Sequence, residues 1–350
     1  MRIVIATVRV PFVRGGAEAL AEGLRDALQA AGHTADIVAL PFKWYPPECL
    51  LDQMLAWRLL DVTESFGTPT DLLIGLSFPA YLVPHPRKVL WLIHQHRSAY
   101  EWWDHPFGDL LQYPNGVEVR DAIRQADRTF IPQAKAAFAI SANVRRRLKT
   151  QCGIDAAVLY PPPPHAARYY CAAPEDYLFF PSRLTLPKRQ ELVLEALAQT
   201  RHPVCVRFAG SADEPQHAEA LQRLASEVQV QRRVEWLGPI SDDDKIRRYA
   251  HALGVVFPPV DEDFGYVAVE AMLAAKPVIT CTDSGGPLEM VEHAGTGLVV
   301  EPSAAALAQA MDTLWENRAR GTAWGEAARA RIERLNITWD NVVRTLTACT

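Results

Sequence analysis

Residues 258–302 read PPVDEDFGYVAVEAMLAAKPVITCTDSGGPLEMVEHAGTGLVVEP, and their alternation of short apolar runs with helix-like stretches decides the fold. A strand over Gly254–Pro258 leads through Asp261-Glu262-Asp263 into a helix over Gly265–Ala275. Pro277–Thr280 reads as the next strand, Pro287–His293 as a short helix and Leu298–Val300 as a further strand. Strands separated by helices pair in parallel, because a parallel pair needs a long crossover connection. At the carboxyl edge of such a sheet, this stretch sets two helix starts beside two carboxylates, Glu262 and Glu270. Helix starts suit an anion, since their first amides have no acceptor within the helix. Carboxylates suit neighbouring sugar hydroxyls.

The same alternation runs outward through the chain. Arg2–Val8 reads as a strand, followed by a turn at Arg14-Gly15-Gly16 and a helix over Ala17–Ala31 that Gly32 ends. Asp36–Leu40, Asp71–Gly75 and Lys88–His94 read as further strands, and Ser141 as the N-cap of a basic helix, Ala142–Thr150. Pro161-Pro162-Pro163-Pro164 then interrupts the pattern as a stiff extended linker. Beyond it the alternation restarts, with strands at Tyr177–Pro181, Val204–Ala209 and Val234–Leu237 and helices at Lys188–Gln199, His217–Glu227 and Asp243–His251. Helices at Ser303–Leu314, near Trp324–Leu335 and over Thr338–Cys349 complete the chain. The expected architecture is α/β, with two Rossmann-like doubly wound domains, 1–165 and 166–337, facing a cleft. A C-terminal helix at about 338–350 is expected to pack back on the first domain.

Composition fits this reading. Of 350 residues, 49% are hydrophobic and 22% charged, as in globular rather than disordered chains. No apolar run reaches the ~18 to 20 residues that span a bilayer. The chain opens directly on a strand-like run, so a cytoplasmic protein is expected, with no nucleic-acid partner. The six cysteines stand singly, without metal-ligand or disulfide spacing; Cys205 and Cys281 sit in apolar runs and read as core. Residues 1–165 hold 17 Lys/Arg against 16 Asp/Glu and residues 166–350 hold 19 against 25, hence +1 and −6. Positions 120–149 carry eight basic side chains and only Asp121 and Asp127 as acids. That excess suits an anionic substrate, an anionic lipid surface or simply water; within it, Arg145, Arg146, Arg147 and Lys149 are the candidate peripheral contact with the inner membrane face.

Two more segments carry chemistry. Arg183 and Lys188 lie across the turn that follows strand Tyr177–Pro181, where two cations clamp a pyrophosphate. His94-Gln95-His96 follows strand Lys88–Ile93, and with no third ligand nearby it does not read as a zinc site. Trp102 and Trp103, further along that loop, read either as core or as a stacking platform for an acceptor. Asp261-x-Asp263 imitates a metal-binding pair, but Arg183 and Lys188 already serve the phosphates, so no metal is expected.

Arg183 with Lys188, Glu262-x7-Glu270 around Phe264-Gly265, and Gly285-Gly286-Pro287-x-Glu289 together resemble the GT-B glycosyltransferases of family 4, retaining enzymes that use sugar nucleotides. The resemblance covers most of residues 176–302 and extends to Arg14-Gly15-Gly16-Ala17-Glu18. Ser182 and Arg189 stand where family members often carry glycine, as does Asp263, and Gly210-Ser211-Ala212 lacks a second glycine. On these positions the resemblance implies that Arg183 and Lys188 stabilise the departing nucleoside diphosphate in place of a metal. It assigns Glu262 and His94 to the donor sugar and Glu270 to the ribose. The amides of Phe264, Gly265 and Tyr266 go to sugar and β-phosphate, and Gly15 and Gly16 to the phosphate side. It further implies a UDP-sugar ahead of a GDP-sugar as donor and no cofactor. The acceptor would be a carbohydrate or a lipid-linked acceptor, in bacterial polysaccharide, lipopolysaccharide or glycoconjugate assembly; Trp102 and Trp103 are its candidate platform from the residues alone. A sugar-nucleotide epimerase or hydrolase on the same frame, and a non-catalytic sugar-nucleotide-binding protein, are the alternatives. A dehydrogenase is not expected, because the first turn lacks G-x-G-x-x-G.

Overall fold

The protein is described by a computed structural model covering residues 1–13 and 15–349. It divides into two compact units, Met1–Pro164 with Ile337–Thr350, and His165–Asn336.

In the first unit β1 (Arg2–Arg9), α1 (Gly16–Ala30), β2 (Thr34–Pro41) and α2 (Glu48–Leu59) precede a small hairpin of β3 (Glu64–Ser65) and β4 (Thr68–Pro69). Then come β5 (Leu72–Gly75), β6 (Lys88–Leu92), α3 (Gly116–Phe130), β7 (Ala136–Ala139), α4 (Ala142–Cys152) and β8 (Ala157–Val158). The main sheet has the order β2-β1-β5-β6-β7-β8, parallel throughout. Every residue of β5 and β6 is buried, as expected of a parallel sheet covered on both faces. Ser141 caps α4 by accepting from the Val144 amide, and Gly153 ends it in the left-handed conformation.

The second unit runs β9 (Leu178–Pro181), α5 (Gln190–Gln199), β10 (Val206–Ala209), α6 (Pro215–Glu227), β11 (Val234–Trp236), α7 (Asp242–His251) and β12 (Gly254–Val256). It continues with α8 (Tyr266–Leu273), β13 (Val278–Cys281), α9 (Pro287–Met290), β14 (Gly297–Val300), α10 (Ala304–Glu316) and α11 (Arg318–Arg334). Its sheet has the order β11-β10-β9-β12-β13-β14, again parallel. The chain therefore winds outward from β9 to β11, returns to the middle and winds the other way from β12. Such a reversal leaves a crevice between the carboxyl ends of β9 and β12, where ligands of doubly wound sheets bind.

The last helix, α12 (Trp339–Thr347), belongs to the first unit. Trp339 lies on Gly23 of α1, where a Cβ would meet its ring at 2.4 Å, and meets the buried Trp91 edge-on at 6.2 Å.

Helices α2 and α3 and strands β7 and β8 have no counterpart among the elements expected from sequence. Apolar residues run round most of α2 (Leu50, Leu51, Met54, Leu55, Trp57, Leu59), so no single face stands out. Strand β7 is three-quarters alanine, without the branched side chains that mark a strand. Cys281 is buried as expected, whereas Cys205 is only half-buried.

Candidate active site

The turn after β9 and the loop after β12 are stitched together at the crevice. The Val260 amide donates to the Pro187 carbonyl at 2.8 Å. That contact brings Lys188, in a short 3-10 turn over Leu186–Lys188, onto Glu262. The Lys188 ammonium donates to Glu262 Oε2 and lies 5.4 Å from the centre of the Phe257 ring. Both side chains are mostly shielded, at 17% and 22% exposure. The ion pair therefore sits where screening by water is reduced.

Glu262 is fixed through its backbone as well. Its amide donates to the Ser284 carbonyl at 3.0 Å, and its carbonyl accepts from the Gly286 amide at 2.8 Å. A Cβ on Gly286 would stand 2.6 Å from the Phe264 Cα and carbonyl oxygen. Glycine is thus required there so that two backbones can touch. This corrects the expected second helix start. The Gly286 amide is consumed by Glu262, and the Leu288 and Glu289 amides by Gly285 and Gly286; α9 is only four residues long. The longer helix α8 starts at Gly265, its N-cap at φ +85°, with Phe264 and Tyr266 on either side.

Arg183 pairs with a carboxylate of its own. Its Nη1 donates to both Asp213 oxygens, at 3.0 and 2.8 Å, and both side chains are about half exposed. The two cations are thus held by different carboxylates, Asp213 and Glu262. Gln190, fully buried at the start of α5, holds the backbone of this turn by donating to the Arg183 carbonyl at 2.9 Å. Arg189 adopts the left-handed conformation at φ +58°, a region that favours glycine. Its guanidinium grips Asp283 with both terminal nitrogens, at 2.8 and 2.5 Å.

Glu270 is buried, at 4% exposure, in agreement with its place in an apolar run. Its carboxylate accepts from Lys245 Nζ at 2.9 Å and from the Tyr249 hydroxyl at 2.8 Å. Burial alone would lower the Lys245 ammonium, but Glu270 and Asp242 outweigh it and the pKa is raised. Tyr169, Tyr249 and Tyr266 are all pushed up, by burial first and by the Glu270 carboxylate second. Each carboxylate oxygen has two lone pairs, and the buried Tyr169 also acts on this carboxylate. Sequence reasoning missed Lys245; the signal was its spacing of four from Tyr249 on a helix capped by Ser241.

Among the described residues, no group of His, Cys, Asp and Glu has a metal-binding arrangement, Asp261 and Asp263 included.

In the first unit, the Gly15 amide is taken by Glu18 Oε2 at 2.9 Å, and α1 begins at Gly16; Arg14 lies outside the described residues. His94 stands two residues beyond β6 with Nδ1 2.6 Å from the Gln95 carbonyl. His96 lies between the Phe42 and Phe78 rings, and burial pushes its pKa down to about 3. Beneath this loop is a fully buried carboxylate, Asp127 of α3, which in sequence is only one of two acids in a basic stretch. It accepts from the hydroxyls of Tyr81 and Tyr100, each at 2.8 Å, and from Gln95 Nε2 at 3.0 Å. Burial, opposed by those three donors, holds it up at about 6. Trp102 and Trp103 carry the guanidinium groups of Arg97 and Arg120 on their rings, at 3.8 and 4.2 Å. Within the basic helix Arg147 turns inward to Glu101 at 3.2 Å and is 9% exposed. The outward basic face is thus Arg145, Arg146 and Lys149, the last paired with Asp155 at 2.7 Å. Among the described residues, no helix is long and apolar enough to cross a membrane.

Residues 172–331, nearly all of the second unit, match the family model for glycosyl transferases group 1. The chain has the GT-B glycosyltransferase fold. It aligns over 100% of its length with sucrose-phosphate synthase from Thermosynechococcus elongatus, at a TM-score of 0.80 and 19% identity, covering all of that chain. Anabaena HepE in complex with UDP and glucose aligns over 99% of this chain and 100% of its own, at a TM-score of 0.71 and 18% identity. In sequence, alpha-1,3/1,6-mannosyltransferase ALG2 of Homo sapiens is 31% identical over 165 residues, 43% of this chain and 39% of the relative. The match thus spans about two-fifths of that relative's length.

Proposed function

We propose that the chain is a retaining, metal-independent glycosyltransferase that moves a sugar from a nucleoside-diphosphate donor, a UDP-sugar ahead of a GDP-sugar, to an acceptor hydroxyl in glycan assembly. The observation that carries this reading is the shielded Lys188–Glu262 pair at the reversal point of the second unit's sheet. UDP bound by a protein of the same fold, HepE, supports the choice of nucleotide. In this reading the anomeric C–O bond breaks with its electron pair going to the β-phosphate. The acceptor oxygen bonds to the anomeric carbon from the same side, and the acceptor proton passes to the departing phosphate. Negative charge grows on that phosphate, and the Lys188 ammonium, displaced from Glu262, stabilises it with Arg183; fixed charges in a shielded site act most strongly on such developing charge. Glu262 then serves the sugar hydroxyls, and Glu270 the ribose.

The test is a thermal-shift panel of UDP, GDP and ADP with their sugars, since a ligand that binds only the folded state raises the midpoint. UDP should shift wild type, and Lys188→Ala should lose most of that shift and lower turnover by about 100-fold or more, the scale of removing one stabilising donor. A variant as active as wild type would remove Lys188 from the site. Chelation with EDTA should leave turnover unchanged. Consumption of donor at full rate without any acceptor would favour the hydrolase or epimerase instead.

A further inference from the structure

Two neighbouring arginines of the first unit lie on aromatic rings rather than in ion pairs with a carboxylate among the described residues. Arg120 and Arg124 stand one turn apart on α3, both half-buried. Arg120 lies on the Trp103 ring at 4.2 Å and donates Nε to the Ala99 carbonyl at 3.3 Å. Arg124 lies over Tyr100 at 5.1 Å, and its Nε is buried without a hydrogen-bond acceptor. Among the described residues neither forms an ion pair, in contrast to Arg97 and Arg147, which share Glu101. Burial first, and Arg124 second, lower the Arg120 pKa against a weaker pull from Asp121 and Asp104. Two guanidinium groups held side by side on aromatic rings repel one another, and leaving a buried donor unmade is unfavourable. An oxyanion relieves both, because each guanidinium offers a planar fork to two oxygens. Stacking fixes the forks beforehand, so little rotamer freedom is lost on binding.

We propose that Arg120 and Arg124, walled by Trp103 and Tyr100, bind an oxyanion, a phosphate or carboxylate carried by the acceptor. The acceptor is therefore an anionic glycan or a phosphorylated alcohol rather than a neutral sugar. This rests on the transferase reading for the word acceptor, but the site itself is testable without turnover.

Inorganic phosphate and glucuronate are titrated into the Arg183→Ala/Lys188→Ala protein, which lacks the expected donor-phosphate cations. Phosphorus NMR line widths and calorimetry read the binding. Retained binding of either anion, weakened about tenfold or more by adding Arg120→Gln and Arg124→Gln, is the expected result, the scale of losing one charge-assisted hydrogen bond. Arg124→Gln alone keeps the test open should the combined variant fail to fold, and Arg124→Lys should restore only part of the affinity. Binding of both anions unaffected by the glutamines overturns the site. So does loss of binding to phosphatidylserine vesicles in the glutamine variants without any anion binding, which would make α3 a membrane face. UDP binding, measured alongside on wild type with Arg120→Gln/Arg124→Gln, should not change; its absence in wild type would sink the donor reading while leaving the oxyanion site standing.

Discussion

Asp127 shows how one buried side chain organises a loop. Its carboxylate holds Tyr81, Tyr100 and Gln95 together, and Gln95 is the neighbour of His94. Its pKa, held up at about 6, lies above the unfolded value of about 3.9. Between those values the folded state binds more protons than the unfolded one. The contribution of Asp127 to stability is therefore fully present below about pH 4 and lost as pH rises through about 6. Urea midpoints of wild type should fall over that window relative to Asp127→Asn. An amide cannot accept from all three donors at once, so the variant should be about 1–3 kcal/mol less stable at low pH. Equal pH slopes for the two proteins would contradict the assignment. Lys188 belongs at the same scale. The sequence reads it as a phosphate cation with Arg183; in the folded chain it meets Glu262, which the Val260–Pro187 contact between two loops far apart in sequence brings near.

At the scale of elements, the loop after β12 and the turn before α9 form one unit. They are joined by the Glu262–Ser284 and Gly286–Glu262 backbone bonds. Gly286→Ala should break this unit, since the new Cβ faces backbone atoms that have no rotamer to change. Overpacking of this kind costs about 1–3 kcal/mol, and nucleotide binding should be lost together with the fall in denaturation midpoint. A variant with wild-type UDP affinity would show that Glu262 does not depend on this contact. At the capped start of α4, Ser141→Ala removes the acceptor for the Val144 amide. It should lower stability by about 1 kcal/mol, as for other N-caps, without altering nucleotide binding.

Over the whole molecule, two units fold around separate sheets and the chain returns to the first one through α12. Gly23→Ala would push the Trp339 ring from its seat on α1, so hydrogen exchange should rise in β1 and β5 while β9 and β12 keep their protection. Two units also make a single unfolding transition unsafe to assume, and exchange resolved by segment avoids that assumption. Alternating strand and helix patterns, the apolar run around Glu270 and the helix start at Gly265 were all legible in the linear chain, because each is set by local periodicity and backbone conformation. The strand order was not, nor the pairing of Lys188 with Glu262, the Lys245–Tyr249 support of Glu270, the buried Asp127, or the consumption of the Gly286 amide. Each of these depends on which loops the sheets bring within hydrogen-bonding distance. Residues 258–302 by themselves determined a parallel α/β unit with two carboxylates, Glu262 and Glu270, beside a helix start; only the folded sheet decided which cation and which amides those carboxylates meet.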